Sequence, residues 1–176
     1  MISLFFFYRS SRWPLVFLVA AILPACTTVS PEDEQVTTVS VQATAYSSGP
    51  KCNGAWANLN AVGGSLKSGE VNSAAADWSR FPLGTKFRVK ETGKLYMVDD
   101  YGSAMVGKDK VDLFMTNYRD VRRWGVKDVT LEIVEWGCHE ESLTVLKPRW
   151  RSRHVKVMIK QLEEKLSQPG TRVSAG

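Results

Sequence analysis

Histidine and cysteine are scarce in this chain of 176 residues, and their scarcity limits its chemistry. The two histidines are His139 and His154, and no pair of the three cysteines has CxxC spacing. Because protein zinc sites are built from such closely spaced ligands, we expect no metal ion and no cofactor. Internal repeats and low-complexity blocks are also lacking, and the length indicates one domain with tails.

A net positive charge is lacking over most of the chain, although the formal net charge of the whole chain is +5. Residues 27–144 carry 16 acidic and 13 basic side chains, a net of −3. Residues 145–176 carry 8 basic and 2 acidic side chains, a net of +6. The basic character therefore belongs to the tail, and we expect no nucleic-acid partner.

A long apolar run is lacking as well. The apolar run at residues 14–25 is too short to span a membrane comfortably, but it has the length of a signal-peptide core. It ends in LPAC, which resembles the bacterial lipobox and implies cleavage before Cys26 and lipid attachment to its thiol. Thr27 follows instead of an aspartate, which by the same resemblance implies the outer membrane, facing the periplasm. The alternative is an ordinary secretory signal in which Cys26 has no role.

Four segments follow from these patterns. Residues 1–25 are the expected signal peptide, 26–35 a polar tether, 36–144 the domain, and 145–176 a basic tail whose end is expected to be disordered. Within the tail, apolar residues recur at helical spacing, at Val155, Met158, Ile159, Leu162 and Leu166. This spacing predicts a helical appendage after the domain.

Strand patterns dominate the domain. Five segments have β-branched or alternating apolar residues: 36–46, 86–90, 94–98, 111–115 and 128–137. The segment VNSAAAD is ambiguous, because its alanines favour a helix but its neighbours leave little room for one. NYRDVRRW has helical spacing and ends at Gly125. About six short strands and one short helix predict a mainly β fold, a small closed barrel.

Two cysteines remain once Cys26 is assigned to the lipid anchor. Cys52 lies in a loop after the first strand pattern, and Cys138 follows the last one. An exported protein meets an oxidising compartment. We therefore expect a disulfide that ties the two ends of the domain together and contributes about 2–4 kcal/mol. The alternative is a pair of free thiols.

Asp100 and Asp112 stand beside apolar strand patterns, where a carboxylate is costly to desolvate. Burial or a second carboxylate raises the pKa of a carboxyl group, and a carboxylic acid that stays protonated near neutrality is suited to donate a proton. Closing a barrel would bring Asp77, Asp100 and Asp112 to one groove. We expect Asp99 and Asp109 to be solvated loop charges.

Each of the three aspartates also has a structural alternative. Asp77 would cap a turn, and Asp100 would be a turn residue before a glycine. Asp112 would pair with Arg122 or Arg123.

Three segments resemble the sequence blocks of the 3D domain family, which is named for three aspartates. They are AADWSRFPLGTKFRV, VDDYGSAMVG and KVDLFM, in the family's order. ATAY and WGVKDVTLEIVEWG resemble the family's opening and closing strands, so the resemblance covers residues 42–137. It implies a six-stranded double-psi β-barrel in which the three aspartates are Asp77, Asp100 and Asp112.

The family includes membrane-bound lytic transglycosylase A, and the resemblance implies the same chemistry for this chain. Asp112 is then the catalytic acid that cleaves the MurNAc–GlcNAc bond of peptidoglycan, while Asp100 and Asp77 shape its site. The candidate substrate-binding residues are Tyr46, Trp78, Tyr101, Gly102, Ser103 and Lys108. The aromatic ones would stack on sugar rings, and the glycine lets the backbone approach the sugar.

The second aspartate block departs from the family pattern. Tyr101, Ser103 and Val106 stand where the family has threonine, glycine and lysine, and Trp78 replaces a proline in the first block. The lost lysine removes a cation, although Lys108 lies nearby. The alternative function is therefore a non-catalytic envelope lipoprotein that holds peptidoglycan in the same groove. A third possibility is a structural lipoprotein whose basic tail contacts anionic polymers or a partner.

Overall fold

The computed structural model of the protein describes residues 36–49 and 58–168. The expected signal peptide, the tether, Cys52 and residues 169–176 lie outside the described residues. The elements in chain order are β1 (Thr38–Tyr46), β2 (Val71–Ala76), β3 (Lys86–Val89), β4 (Lys94–Asp100), β5 (Lys110–Phe114), α1 (Tyr118–Trp124), β6 (Lys127–Glu135), α2 (His139–Leu146), a 3₁₀ turn (Lys147–Arg149) and α3 (Arg153–Ser167).

The six strands close into a barrel in the order β1-β5-β2-β4-β3-β6. The pairs β1–β5 and β2–β4 are parallel, and the other four pairings are antiparallel. Both parallel pairs join strands that are not consecutive in the chain, and the arrangement is consistent with a double-psi barrel. The predicted mainly β fold with six strands is thus confirmed.

The ambiguous segment VNSAAAD forms strand β2. This strand hydrogen-bonds to β4 on one side and to β5 on the other, and its residues 72–76 are all buried. Alanine favours a helix in isolation, but pairing on both sides and burial of both faces select a strand of small side chains. Tertiary context therefore overrides local propensity in this segment.

Local signals set both ends of α1. The side chain of Asn117 accepts a hydrogen bond from the backbone N–H of Arg119 at 2.9 Å, which caps the first turn. Gly125 ends the helix with a φ of +66°, a conformation that glycine adopts without a steric penalty. The predicted short helix and its glycine stop are confirmed.

One hydrophobic cluster fills the barrel and continues into the tail. Fully buried barrel residues such as Phe87, Leu113 and Leu131 belong to it. The tail helices contribute Leu143, Leu146, Val155, Met158 and Leu162 to the same cluster. The predicted tail helix is confirmed as α3, whereas α2 was not predicted. Both helices pack against the barrel, so the appendage shares its core.

The turn at Leu83 fixes the start of the tail. Its N–H donates to Ser142 Oγ at 2.8 Å, and its carbonyl accepts from the N–H of Cys138 at 3.0 Å. Gly137 runs so close to the carbonyls of Pro82 and Leu83 that a Cβ there would collide with them. The Pro-Leu-Gly-Thr turn therefore determines where the chain leaves the barrel.

Candidate active site

Four register partners form a row across neighbouring strands on one face of the barrel. Thr44 of β1 pairs with Asp112 of β5, and Asp112 pairs in turn with Ala75 of β2. Ala75 pairs on its other side with Asp100 of β4. Directly paired residues point to the same side of a sheet. The row therefore places two carboxyl groups on one face with a single methyl group between them.

Asp112 is half-buried, and Thr44 Oγ1 donates a hydrogen bond of 2.8 Å to its Oδ1. Burial raises the pKa of the Asp112 carboxyl above its ordinary value, and the Thr44 hydrogen bond and the charge of Lys110 oppose the rise. The expected alternative, a pair with Arg122 or Arg123, is not what the structure has. A carboxyl with a raised pKa is suited to donate a proton.

Asp100 is also half-buried, and both of its carboxyl oxygens accept hydrogen bonds. The N–H of Tyr101 donates to Oδ1 at 2.9 Å, and the hydroxyl of Tyr46 donates to Oδ2 at 3.3 Å. Burial raises the pKa of Asp100 to about 6, and nearby Asp99 adds to the rise, whereas the hydrogen bonds from Tyr101 and Tyr46 oppose it. The neutral acid is therefore populated close to neutral pH.

The expectation that Asp99 is a solvated loop charge is wrong, because its side chain is 1 % exposed. Its Oδ2 accepts hydrogen bonds from Asn60 Nδ2 at 2.9 Å and Ser73 Oγ at 2.7 Å. Within the described residues its Oδ1 has no hydrogen-bond partner. Burial raises the pKa of Asp99 as well, against those two hydrogen bonds. Asp99 thus ties the loop around Asn60 to the end of β4, and no local sequence signal separates it from Asp100.

Asp109 is exposed, as expected, and its carboxylate forms an ion pair with Arg80. Both side chains are close to half exposed, so solvent screens this pair and it contributes little to stability.

Asp77 is fully buried and is held differently from the other two aspartates. Its Oδ1 accepts from the backbone N–H of Ser79 at 2.9 Å and from Ser79 Oγ at 2.6 Å. Its Oδ2 accepts from the N–H of Gly107 at 2.7 Å. The turn-cap alternative is confirmed, and the same carboxylate anchors the loop that follows β4. Asp77 therefore lies outside the row that joins Asp100 and Asp112.

The aromatic candidates do not all face solvent. Trp78 is fully buried, and its Nε1 donates to the carbonyl of Asp100 at 2.9 Å, so its predicted stacking on a sugar is wrong. Tyr46 is 8 % exposed and packs against Phe114 with ring centroids 5.5 Å apart, which contradicts a stacking role for it too. Tyr101 is partly exposed and lies edge-on against Trp78. Among these three candidates, Tyr101 is the one with surface for a sugar ring.

An open cleft of about 620 Å³ lies beside Asp100. The loop around Asn60 forms one wall, Asp100 and Tyr101 form the base, and Arg149 and His154 of the tail form the other wall. Ligand pockets in proteins commonly combine aromatic or apolar surface with a few polar groups. Sequence analysis missed Arg149 and His154, since the tail was taken as separate from the domain.

The remaining predicted substrate-binding residues lie on the loop after β4. Gly102 is half-buried, and Ser103 and Lys108 are exposed. Within the described part of the chain, these three do not line the cleft. Thr44, by contrast, was not singled out, although the alternation within ATAY places it on the same face of β1 as Tyr46.

Cys138 has an exposed thiol in the structure. Its Sγ accepts a hydrogen bond from the N–H of Glu141 at 3.4 Å and so caps α2. Its expected partner Cys52 lies outside the described residues, and the disulfide stays a prediction. Residues 36–49 and 58–168 contain no group of three or more histidine, cysteine, aspartate or glutamate side chains that could hold a metal. In the same ranges, no helix has the length and apolarity needed to cross a membrane.

Comparison with known proteins agrees with the barrel geometry. Residues 72–135 match the 3D domain, a span that begins in β2, ends with β6 and includes Asp77, Asp100 and Asp112. Strand β1 and the tail helices lie outside the match. 3D domains occur in lytic transglycosylases related to membrane-bound lytic transglycosylase A, which indicates a function connected with peptidoglycan. A search of curated proteins gave no significant match. Residues 72–135 of this chain match the 3D domain, and β1, which lies outside the match, completes the barrel.

Proposed function

We propose that this protein cleaves the glycan strands of peptidoglycan as a lytic transglycosylase acting on the MurNAc–GlcNAc bond. The observation that supports it best is the pair Asp100 and Asp112, which flank Ala75 on one face of a 3D-domain barrel. Burial raises the pKa of both carboxyls, which keeps a proton available for a leaving oxygen.

Asp112 is assigned the proton transfers, by its position in the third block of the 3D pattern. Its carboxyl first gives a proton to the glycosidic oxygen as the bond to the MurNAc anomeric carbon breaks. The resulting carboxylate then takes the proton of the MurNAc C6 hydroxyl, whose oxygen bonds to the same anomeric carbon and closes a 1,6-anhydro ring. One carboxyl can serve both steps because the nucleophile belongs to the substrate, unlike in paired-carboxylate glycosidases.

Asp100 supports that reaction from the other side of Ala75. At its pKa of about 6 it is partly neutral near pH 7 and can donate to a sugar hydroxyl as well as accept from one. Tyr46 holds its Oδ2, and the pKa of that tyrosine is raised by burial and by Asp100, so its hydroxyl stays a donor. Thr44 holds Asp112 in the same way. Both carboxyls are thus oriented before substrate arrives.

The test is the product made from purified peptidoglycan. The mature protein is incubated with it, and the fragments are identified by mass spectrometry. Strand ends with 1,6-anhydro-MurNAc support the proposal, and hydrolysed reducing ends with no anhydro product would contradict it. Asp128→Asn is a suitable control variant, because Asp128 is an exposed aspartate of β6, and it should give the wild-type product.

A second candidate function is a glycan-binding module without turnover. It is favoured by the loop after β4, where Val106 packs against the main hydrophobic cluster and offers no cation at the position of the family lysine. Binding of peptidoglycan with no cleavage product over long incubation would select this function over the first.

We also propose that the protein acts in the cell envelope, tethered through a lipid on Cys26. The LPAC motif supports this, and so does the substrate, because peptidoglycan lies outside the inner membrane. Replacing Cys26 with alanine should move the protein from the membrane fraction to the soluble fraction after cell lysis. Membrane attachment that is unchanged in the variant would contradict the lipid anchor.

A further inference from the structure

The tail contributes a cation to the cleft beside Asp100, although it lies outside the residues that match the 3D domain. Arg149 Nη1 donates to the hydroxyl of Tyr101 at 3.3 Å, and its guanidinium carbon lies 5.9 Å from the centre of that ring. His154 lies on the same side, with its ring centroid 5.9 Å from that of Tyr101. The partly exposed face of Tyr101 is therefore bordered by basic side chains.

Packing on both sides fixes the segment that carries these groups. Leu146 precedes it and Val155 follows it, and both are almost completely buried in the cluster that fills the barrel. Farther along α3, Lys165 Nζ donates to the carbonyl of Ser79 at 2.6 Å. Arg149 is thus presented to the cleft by a structure anchored to the barrel at several points.

The guanidinium of Arg149 is not neutralised by an acidic side chain of the described residues. Within the described residues it forms no ion pair with an acidic side chain, unlike Lys147 of the same turn, which reaches Glu163 at 3.8 Å. A guanidinium is matched in shape to a carboxylate, to which it donates two parallel hydrogen bonds. A cleft with Asp100 at its base and an unpaired arginine on its wall therefore fits a saccharide that carries its own carboxylate.

We propose that Arg149 binds the lactyl carboxylate of MurNAc and makes the protein prefer glycan strands that have lost their stem peptides. In peptide-bearing strands the lactyl carboxyl forms an amide bond with the stem peptide, so it carries no charge. The proposal rests on the proposed function, since it names the form of the glycan that would occupy the cleft beside Asp100. Asp112 lies one strand away and is not among the described residues that line this cleft. Tyr101 would stack on the sugar ring whose carboxylate Arg149 holds.

Binding measurements test this subsite separately from catalysis. Calorimetry with the full chain carrying Asp112→Asn compares three ligands of equal length: peptide-free GlcNAc–MurNAc strands, peptide-bearing strands, and chitin oligosaccharides, which have no carboxylate. Arg149→Gln should weaken binding of the peptide-free strands by about 10- to 100-fold, the value of a hydrogen bond to a charged group. Chitin affinity should change less than about twofold, a change close to thermal energy. Arg149→Lys should restore part of the loss.

The matched control is Arg151→Gln. Arg151 is exposed two residues further along the chain and packs against Trp150, 5.5 Å from its ring, outside the cleft lining. The Arg151→Gln substitution removes the same charge as Arg149→Gln, and it should leave the affinities for all three glycans unchanged. An equal loss with Arg151→Gln would show general electrostatic attraction, and an equal loss for chitin would show a structural role; either result overturns the subsite.

Four further outcomes separate the proposals. A loss confined to peptide-bearing strands would place the recognised carboxylate on the peptide, and an equal loss for both kinds of strand would show that Arg149 binds a group that they share. Either result would overturn the assignment to the lactyl group. Glycan binding that does not depend on Arg149 would overturn the subsite alone. No binding of any of the three glycans by a folded protein would overturn the proposed function together with the subsite.

Discussion

Asp100 and Asp112 share one register partner, Ala75, and approach it from opposite sides of β2. Neighbouring strands lie about 4.8 Å apart, so the two aspartate backbones are separated by roughly 10 Å with the smallest chiral side chain between them. Alanine at this position therefore places little bulk between the two carboxyls.

Replacing Asp112 with asparagine should remove turnover and leave the fold intact. Asparagine keeps the size of the side chain and an acceptor for Thr44, but it has no proton to transfer. General acid–base assistance is worth about 10²- to 10⁴-fold, so a loss of that order or larger is expected in kcat. The measurement is the release of anhydro-muropeptides, with thermal unfolding as the check on folding. Wild-type turnover in the variant would show that another group transfers the proton.

Asp100 should make the protein less stable as the pH rises from acid to neutral. Its pKa of about 6 in the folded protein exceeds the ordinary value of 3.8. The folded state therefore binds the proton more tightly, and this stabilisation is complete below about pH 4 and is lost as the pH rises through about 6. Burial also raises the pKa values of Asp99 and Asp112, so these two carboxyls change the stability with pH in the same direction.

Asp100→Asn removes this titration and isolates its effect. Its free energy of unfolding should exceed that of the wild type at neutral pH by on the order of 1 kcal/mol, and the excess should shrink below about pH 4. Urea unfolding at a series of pH values measures the difference between the two proteins. A difference that is constant with pH, or that grows as the pH falls, would contradict the raised pKa.

Thr44→Val should alter Asp112 without touching the substrate. The substitution removes the hydrogen bond of 2.8 Å that holds Oδ1 and opposes the rise of the Asp112 pKa. The pH at which activity is lost on the alkaline side should move upward, and stability should fall by about 1 kcal/mol. Thr44→Ser keeps the hydroxyl and should restore the wild-type pH profile. A profile identical in all three proteins would show that Thr44 does not position Asp112.

Asp77→Ala should act mainly on stability. It leaves the two buried donors of Ser79 without their acceptor, and each such group costs about 1–3 kcal/mol. It also releases the N–H of Gly107, which is an exposed residue. We expect a loss of about 2–5 kcal/mol in the free energy of unfolding and faster amide exchange at Gly107. Asp109→Asn, at an exposed carboxylate two residues from Gly107, is the control and should be nearly neutral. Wild-type stability in Asp77→Ala would contradict the anchoring role.

The sequence predicted the barrel because its signals are local and repeated. Alternation in β1 and β6, the stop at Gly125 and the spacing from Val155 to Leu162 each appear in the structure as expected. Of the three aspartates expected in one groove, Asp100 and Asp112 are half-buried and flank Ala75, whereas Asp77 is fully buried and lies outside that row. Their roles in the site stay a prediction.

The predictions that were wrong or missing concern side chains whose environment is set by contacts between distant segments. Asp99 and Asp100 are adjacent in sequence, and only the sheet decides that Asp99 points into a buried network while Asp100 faces a cleft. Trp78 has an aromatic side chain of the kind that stacks on sugar rings, but it is buried against the end of β4. Arg149 could not be assigned to the site, because nothing in the tail indicates which surface of the barrel it covers.

The hydrogen bond from Thr44 to Asp112 joins residues 68 positions apart, and the one from Tyr46 to Asp100 joins residues 54 apart. No single hairpin contains the paired carboxyls, since they come from strands whose parallel pairings require long crossovers. Such non-local contacts form slowly, because the loops between them must close first. A collapsed chain that has not yet closed its barrel therefore lacks the paired carboxyls, which come together only with the final assembly of the strands.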